Sequence, residues 1–142
     1  MPFDPQDYRD RAAENLAIAE KLRTSDDPAD RRWSVVILHY SAVHLINAGL
    51  LAAQYGDPGP PTRHDHRWHV FEIALEEHLV PDTARTLAAL NNLRAASEGA
   101  RYEARADAWW EQLEATETDA HDSLTQEYQQ IIEAIKGLST KT

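Results

Sequence analysis

Six polar side chains in a helix-forming background could do chemistry together: Tyr40, His44, His64, Arg94, Arg101 and Tyr102. Arginine's planar fork suits the oxygens of phosphate or carboxylate. Histidine is the side chain that most readily gains and loses a proton near neutrality. A tyrosine ring offers a face on which a nucleobase can stack. These residue types point to recognition of a phosphate-bearing ligand, with proton transfer open only to the histidines.

Arg94 and Arg101 stand two helical turns apart and share a face if one helix carries both, with Tyr102 beside them. The alternative is that both arginines pair with the chain's many carboxylates, as surface arginines commonly do. Tyr40, His44 and Asn47 fall within an arc of roughly 60° on a helix, opposite Leu38, Ala42 and Leu45. A polar line on an otherwise apolar helix must meet other polar groups, water or a ligand, because an unpartnered buried polar group costs about 1 to 3 kcal/mol. It either satisfies itself within the bundle or edges a cleft next to the arginines. His39 lies to one side of this line and is assigned no role.

His64, His66 and His69, followed by Glu72, invite a metal reading, since imidazole is the commonest transition-metal ligand. Only His66, His69 and Glu72 share a helical face, and the recognised zinc spacings are absent. A metal site would need a further ligand such as His44 or His121. A solvated helix start rich in histidine explains the same residues, and no metal or other cofactor is expected.

The elements that must position these residues are helical. The 142 residues are one domain's worth of chain, rich in Ala, Leu, Glu and Arg and punctuated by five glycines and seven prolines. The absence of cysteine excludes disulfides, thiolate metal sites and cysteine nucleophiles. Asp4 and Pro5 announce a first helix running to about Arg23, and Asp27-Pro28 a second from Ala29 to Tyr55, ended by Gly56; the two should pack antiparallel. Thr62 can cap a third helix to Leu79. Pro81 and Asp82 open a fourth through Glu98, with Leu87, Leu90 and Leu93 inward and Gly99 as its end or a kink. A last segment from Asp107 carries an amphipathic stripe, including Leu113, Leu124, Tyr128, Ile131, Ile135 and Leu138, with a break near residues 116–119. Short loops between such helices predict an all-α, up-down bundle of four or five helices.

The formal charge of -10 argues against broad, sequence-independent binding of nucleic acid. Its distribution matters more: residues 106–142 carry eight acidic against two basic side chains, and residues 63–105 seven against six. An anion site belongs to the middle of the chain. The sequence opens Met-Pro-Phe-Asp without a basic-then-apolar signal, and no apolar run approaches the roughly 20 residues that span a bilayer. The expectation is a soluble, cytoplasmic protein with no membrane partner.

The order His39-Tyr40-Ser41-Ala42-Val43-His44, then Thr62-Arg63-His64 after a Gly- and Pro-rich loop, then Leu93-Arg94 through Arg101-Tyr102 resembles the HEPN family, and its small stand-alone bacterial branch in particular. The likeness covers roughly residues 8–135. It implies a bundle that is commonly a homodimer, with the late motifs of two protomers meeting at one cleft. Active members are metal-independent endoribonucleases in which Arg holds phosphate and His moves the proton; many work in toxin-antitoxin or phage-defence systems, some beside a nucleotidyltransferase partner. Others bind nucleotides or proteins without catalysis. Arg63 and His69, separated by five residues, match the spacing of the nuclease motif but stand too early in the chain.

Here the chain departs from the nuclease pattern, because no histidine follows Arg94 until His121. Arg101-Tyr102 stands in the histidine's place, and arginine is a poor base. The resemblance therefore implies a degenerate, binding member with Tyr40, Asn47, Arg101 and Tyr102 as ligand contacts. The alternative is a nuclease in which His44 or His64 reaches Arg94 from another helix. A pure dimerisation or interaction module would instead present Trp68, Trp109 and Trp110.

Overall fold

The computed structural model describes residues 4–55, 59–102, 106–116 and 120–139 of the chain. Six helices carry them: α1 (Pro5–Arg23), α2 (Pro28–Ala52), α3 (His64–Glu77), α4 (Thr83–Tyr102), α5 (Ala106–Thr116) and α6 (Ala120–Ser139), and no strand occurs among the described residues. Both aspartate-proline starts work as the sequence implies. Asp4 accepts from the Gln6 amide at 2.9 Å and Asp27 from the Ala29 amide at 3.0 Å, with proline at the first helical turn of each.

The other boundaries differ from the expectation. Thr62 does not cap α3; the N-cap is Arg63, which makes no capping bond, and the loop is tied down instead by Arg67 donating to the Pro61 carbonyl at 2.9 Å. Helix α2 stops before Gly56, with its chain reversal at Gln54 (φ 68°), and α3 stops with Leu79 at φ 54°. In each, the two amides after the helix return to its last turn: Gln54 to Leu51 and Tyr55 to Leu50, Leu79 to Glu76 and Val80 to Leu75. Gly99 does not end α4, which continues to Tyr102. Its missing side chain makes room for α5, since a Cβ there would lie 2.8 Å from the Trp109 ring.

Cross-helix contacts fix the directions. Tyr8 meets His44, Ala12 meets Ser41 and Ala19 lies beside Val35, so α1 and α2 are antiparallel. Ser41 meets Tyr128 and Gly49 abuts Ile135, so α6 runs with α2; Arg85 meets Gln130 and Asn92 meets Glu127, so α4 runs against α6. The long helices α1, α2, α4 and α6 thus alternate up and down, with α3 in the connection between α2 and α4.

Helix α2 is the centre, buried over most of Ser34 to Leu51 and packed on every other helix. Leu38, Ala42, Ile46 and Leu50 meet Phe71 and Leu75 of α3, Leu87, Leu90 and Leu93 of α4, and Ile131 and Leu138 of α6. A buried polar relay joins three helices. The Ser41 hydroxyl donates to the Ala12 carbonyl at 2.7 Å and so must accept from the Tyr128 hydroxyl, also at 2.7 Å. By length and composition α2 could cross a membrane, contrary to the sequence expectation, because its Ser, His, Asn and Gly are uncharged; yet 72% of its most apolar window is buried in the bundle. Trp110 is core at 1% exposure, and Trp109 is half-buried over Gly99, so neither is an open surface.

Candidate functional site

Midway along α2, the first turns of α3 and the last turns of α4 converge. Tyr40 receives a hydrogen bond from the Arg101 guanidinium, whose Cζ also lies 5.4 Å from the centre of the Tyr40 ring. Asn47, two turns further along α2, accepts from Arg67 Nε at 3.1 Å. Arg67 Nη1 contacts His64 Nδ1 at 3.2 Å and Nη2 donates to Pro61. The His39 ring completes the cluster, 5.6 Å from His64 and 5.5 Å from Tyr40, centre to centre.

Two members were not singled out from sequence. Arg67 is only 6% exposed and, among the described residues, no carboxylate accepts from it; burial lowers its pKa, and an N–H on each Nη atom remains to spare. Its sequence signal is positional, since Arg67 opens the buried stripe continued by Phe71, Ala74 and Leu75. His39 is 2% exposed and neither ring nitrogen has a partner. It sits in line with the buried Val43, Ile46 and Leu50, so a histidine in an apolar stripe was the available clue. Burial, then the positive surroundings of His64, Arg67, Arg94 and Arg101, push its pKa down to about 3.

The electrostatics of His64 follow the same pattern. Burial and then Arg67 depress its pKa, and only Glu98 acts in the other direction. Because arginine can only donate, Nδ1 of His64 is an acceptor and its proton resides on Nε2. Arg94 lies near enough to depress both His39 and His64, and it pairs with Glu98 at 3.0 Å. The cluster is therefore a set of N–H donors with positive charge, inside a chain whose total is -10.

Of the residues the sequence nominated, Tyr40, Asn47, His64, Arg94 and Arg101 come together here. His44 stands apart: its ring packs on Tyr8 of α1 at 6.1 Å, and burial, then Arg11, lowers its pKa. The side chain of Tyr102 lies outside the described residues. His66 and His69 are exposed on α3, as is Arg63, which pairs with Asp65; among the described residues no three His, Asp or Glu side chains converge on a metal position.

A second polar cluster lies at the N-terminal end of α2. Arg31 makes a two-pronged pair with Glu114 of α5, at 2.8 and 3.0 Å, and donates to the Ser25 carbonyl at 2.9 Å. Arg23 binds Asp122, and His121 lies 3.7 Å from Glu114, too far for a hydrogen bond. Each arginine here has a carboxylate. No protein-family model, curated protein or solved structure matches this chain.

Proposed function

We propose that this chain is a HEPN-like helical protein without nuclease activity that holds a phosphate-bearing ligand, RNA or a nucleotide, at the cluster of Tyr40, His64, Arg67, Arg94 and Arg101. The observation that carries this reading is Arg67. A guanidinium 6% exposed that meets an amide, an imidazole and a carbonyl but, among the described residues, no carboxylate is a buried charge without a counter-ion there, and such a charge calls for one. Beside Arg67 stand the Arg101 guanidinium, which donates to Tyr40, and His64, whose proton lies on Nε2, with Glu98 as the carboxylate that acts on His64. The alternating helices and the ordered convergence of Tyr40, His64, Arg94 and Arg101 support the family resemblance that the sequence carries. With it come the homodimer, the protein partner such as a nucleotidyltransferase, and the toxin-antitoxin or phage-defence setting as parts of the same reading.

The proton positions favour binding over catalysis. A general base must present a lone pair, and His64 held by Arg67 presents an N–H instead. The test is equilibrium binding of a labelled RNA pool and of ATP to the purified protein and to Arg67→Met, with RNA cleavage followed in EDTA. Binding should fall by about ten- to a hundredfold in the variant, the worth of a charge-assisted hydrogen bond, with no cleavage by either protein. Cleavage in EDTA that disappears in Arg94→Ala would install the ribonuclease alternative, with His44 or His64 as its proton carrier. Undiminished binding by Arg67→Met would remove the site.

A further inference from the structure

The exposed rim and the buried floor of the cluster do not suit the same kind of phosphate. At the rim, Arg94 has 38% of its side chain exposed, as an arginine touching the outside of a polynucleotide backbone would. At the floor, His39 and Arg67 are 2% and 6% exposed; neither His39 nitrogen has a partner, and each Arg67 nitrogen makes one bond, which leaves a second N–H on each Nη atom. A buried histidine with two orphan nitrogens is rare enough to need a reason. An oxygen-rich anion beside the cations supplies one, because a neutral imidazole still offers one N–H.

Resting on the reading above, we infer that the floor formed by His39, His64 and Arg67 is built for a terminal phosphate, a phosphomonoester or free phosphate, and not for the internal diester of an RNA chain. A diester carries substituents on two of its oxygens, so a diester phosphate sunk to His39 must lead two chain arms out through the protein. A monoester has one arm and three free oxygens. Donors for them are at hand in an N–H of His39 and the second N–H on each Nη atom of Arg67. Near neutrality a monoester carries a charge of about -1.5 to -2, which answers Arg67 and the nearby Arg94 and Arg101 better than the single charge of a diester. His64, the first residue of α3, is half-buried beside them.

The experiment is calorimetric titration of the full chain with inorganic phosphate, AMP and the dinucleoside phosphodiester ApA, repeated with His39→Leu and His39→Gln. Phosphate and AMP should bind at least about tenfold more tightly than ApA, and His39→Leu should lose about tenfold for AMP. His39→Gln, which restores an amide N–H donor, should recover part of that loss. Equal affinity for phosphate and AMP would assign the whole interaction to the phosphate; tighter AMP would give the nucleoside a share. If ApA and the RNA pool bind as tightly as AMP, the terminal preference is wrong while the anion site stands. If His39→Leu, folded by circular dichroism, binds AMP like the parent, His39 holds a structural water and the inference is overturned. If neither phosphate, AMP, ApA nor RNA binds, the underlying site reading fails with it.

Discussion

Two arginines, one borne by α2 and one laid against it, have been given opposite surroundings. Arg31, near the start of α2, is held by both oxygens of Glu114, which raises its pKa. Arg67, laid against the later turns of α2, meets an amide, an imidazole and a carbonyl, and burial lowers its pKa. The histidines repeat the contrast. Burial and then Arg23 depress His121, and Glu114 works in the opposite direction; burial depresses His39, and the groups acting beside it are His64 and three arginines, all adding to the shift. The first region is a finished structural junction of α2, α5 and α6. In the second, the acidic group among the described residues is Glu98 at the rim, and the buried Arg67 and His39 have no carboxylate beside them there, an imbalance that suits a site awaiting an anion.

Acid should separate the two regions most strongly. His39 has a folded pKa of about 3 against an ordinary value of 6.5, so the unfolded chain takes up a proton there before the folded one. Stability from neutral His39 is complete above pH 6.5 and is lost as the pH falls toward 3. Between pH 6.5 and 4.5 this amounts to about 2.5 kcal/mol. Urea unfolding of the parent and of His39→Leu across that interval should diverge by this much, with the variant the less acid-sensitive. Parallel curves would mean that His39 already has a partner and that the asymmetry is illusory.

Breaking the balanced region should instead cost stability at neutral pH. Arg31→Met leaves Glu114 partly buried without its two-pronged partner, and we expect a loss of about 2 kcal/mol by chemical denaturation. Glu114 has a carboxyl pKa held below its ordinary value by Arg31. That contribution is present above the ordinary carboxylate range and disappears as the pH falls through the depressed value. The penalty of Arg31→Met should therefore be larger at pH 7 than at pH 3.

Why was one half of this contrast easier to read than the other? Helix starts were written in Asp4-Pro5 and Asp27-Pro28, and the inward Leu87, Leu90 and Leu93 in their spacing, because both are local signals. The convergence of Tyr40, Asn47, His64, Arg94 and Arg101 was legible as an order along the chain. His39 and Arg67 were not, although each occupies an apolar stripe, since stripe position tells that a residue is buried and not what it meets across the helix interface. Gly99 was misread for a similar reason. A glycine that admits the Trp109 ring and one that ends a helix look alike until the partner element is placed. Gln54 takes the left-handed conformation near where Gly56 was expected to end α2, and Leu79 takes it after α3; no local composition announces either.

A ligand effect of intermediate size would sharpen the comparison. Phosphate held at ten times its dissociation constant should stabilise the folded chain by about 1.4 kcal/mol, against chloride at equal ionic strength. Arg31→Met should keep that increment, while Arg67→Met and His39→Leu should lose most of it. An increment lost equally in all three variants would show phosphate acting on the whole surface and would dissolve the distinction between the regions.

The smallest expected effect concerns the one carboxylate that acts within the cation cluster among the described residues. Glu98 pairs with Arg94 one turn away and is the group that raises the pKa of His64. An exposed pair of this kind is worth about 0.3 to 0.5 kcal/mol, so Glu98→Gln should barely move the unfolding midpoint. It frees Arg94 and removes a negative charge from the rim, so AMP or phosphate should bind about two- to threefold more tightly. Removing a carboxylate thus costs almost nothing here and improves binding, whereas removing Glu114 from Arg31 costs stability and leaves binding unchanged. Titrating Glu98→Gln and Glu114→Gln side by side checks both halves at once. Weaker anion binding in Glu98→Gln would mean that the Arg94–Glu98 pair holds the rim in its binding geometry, and Arg94 would then be a positioned contact instead of a restrained one.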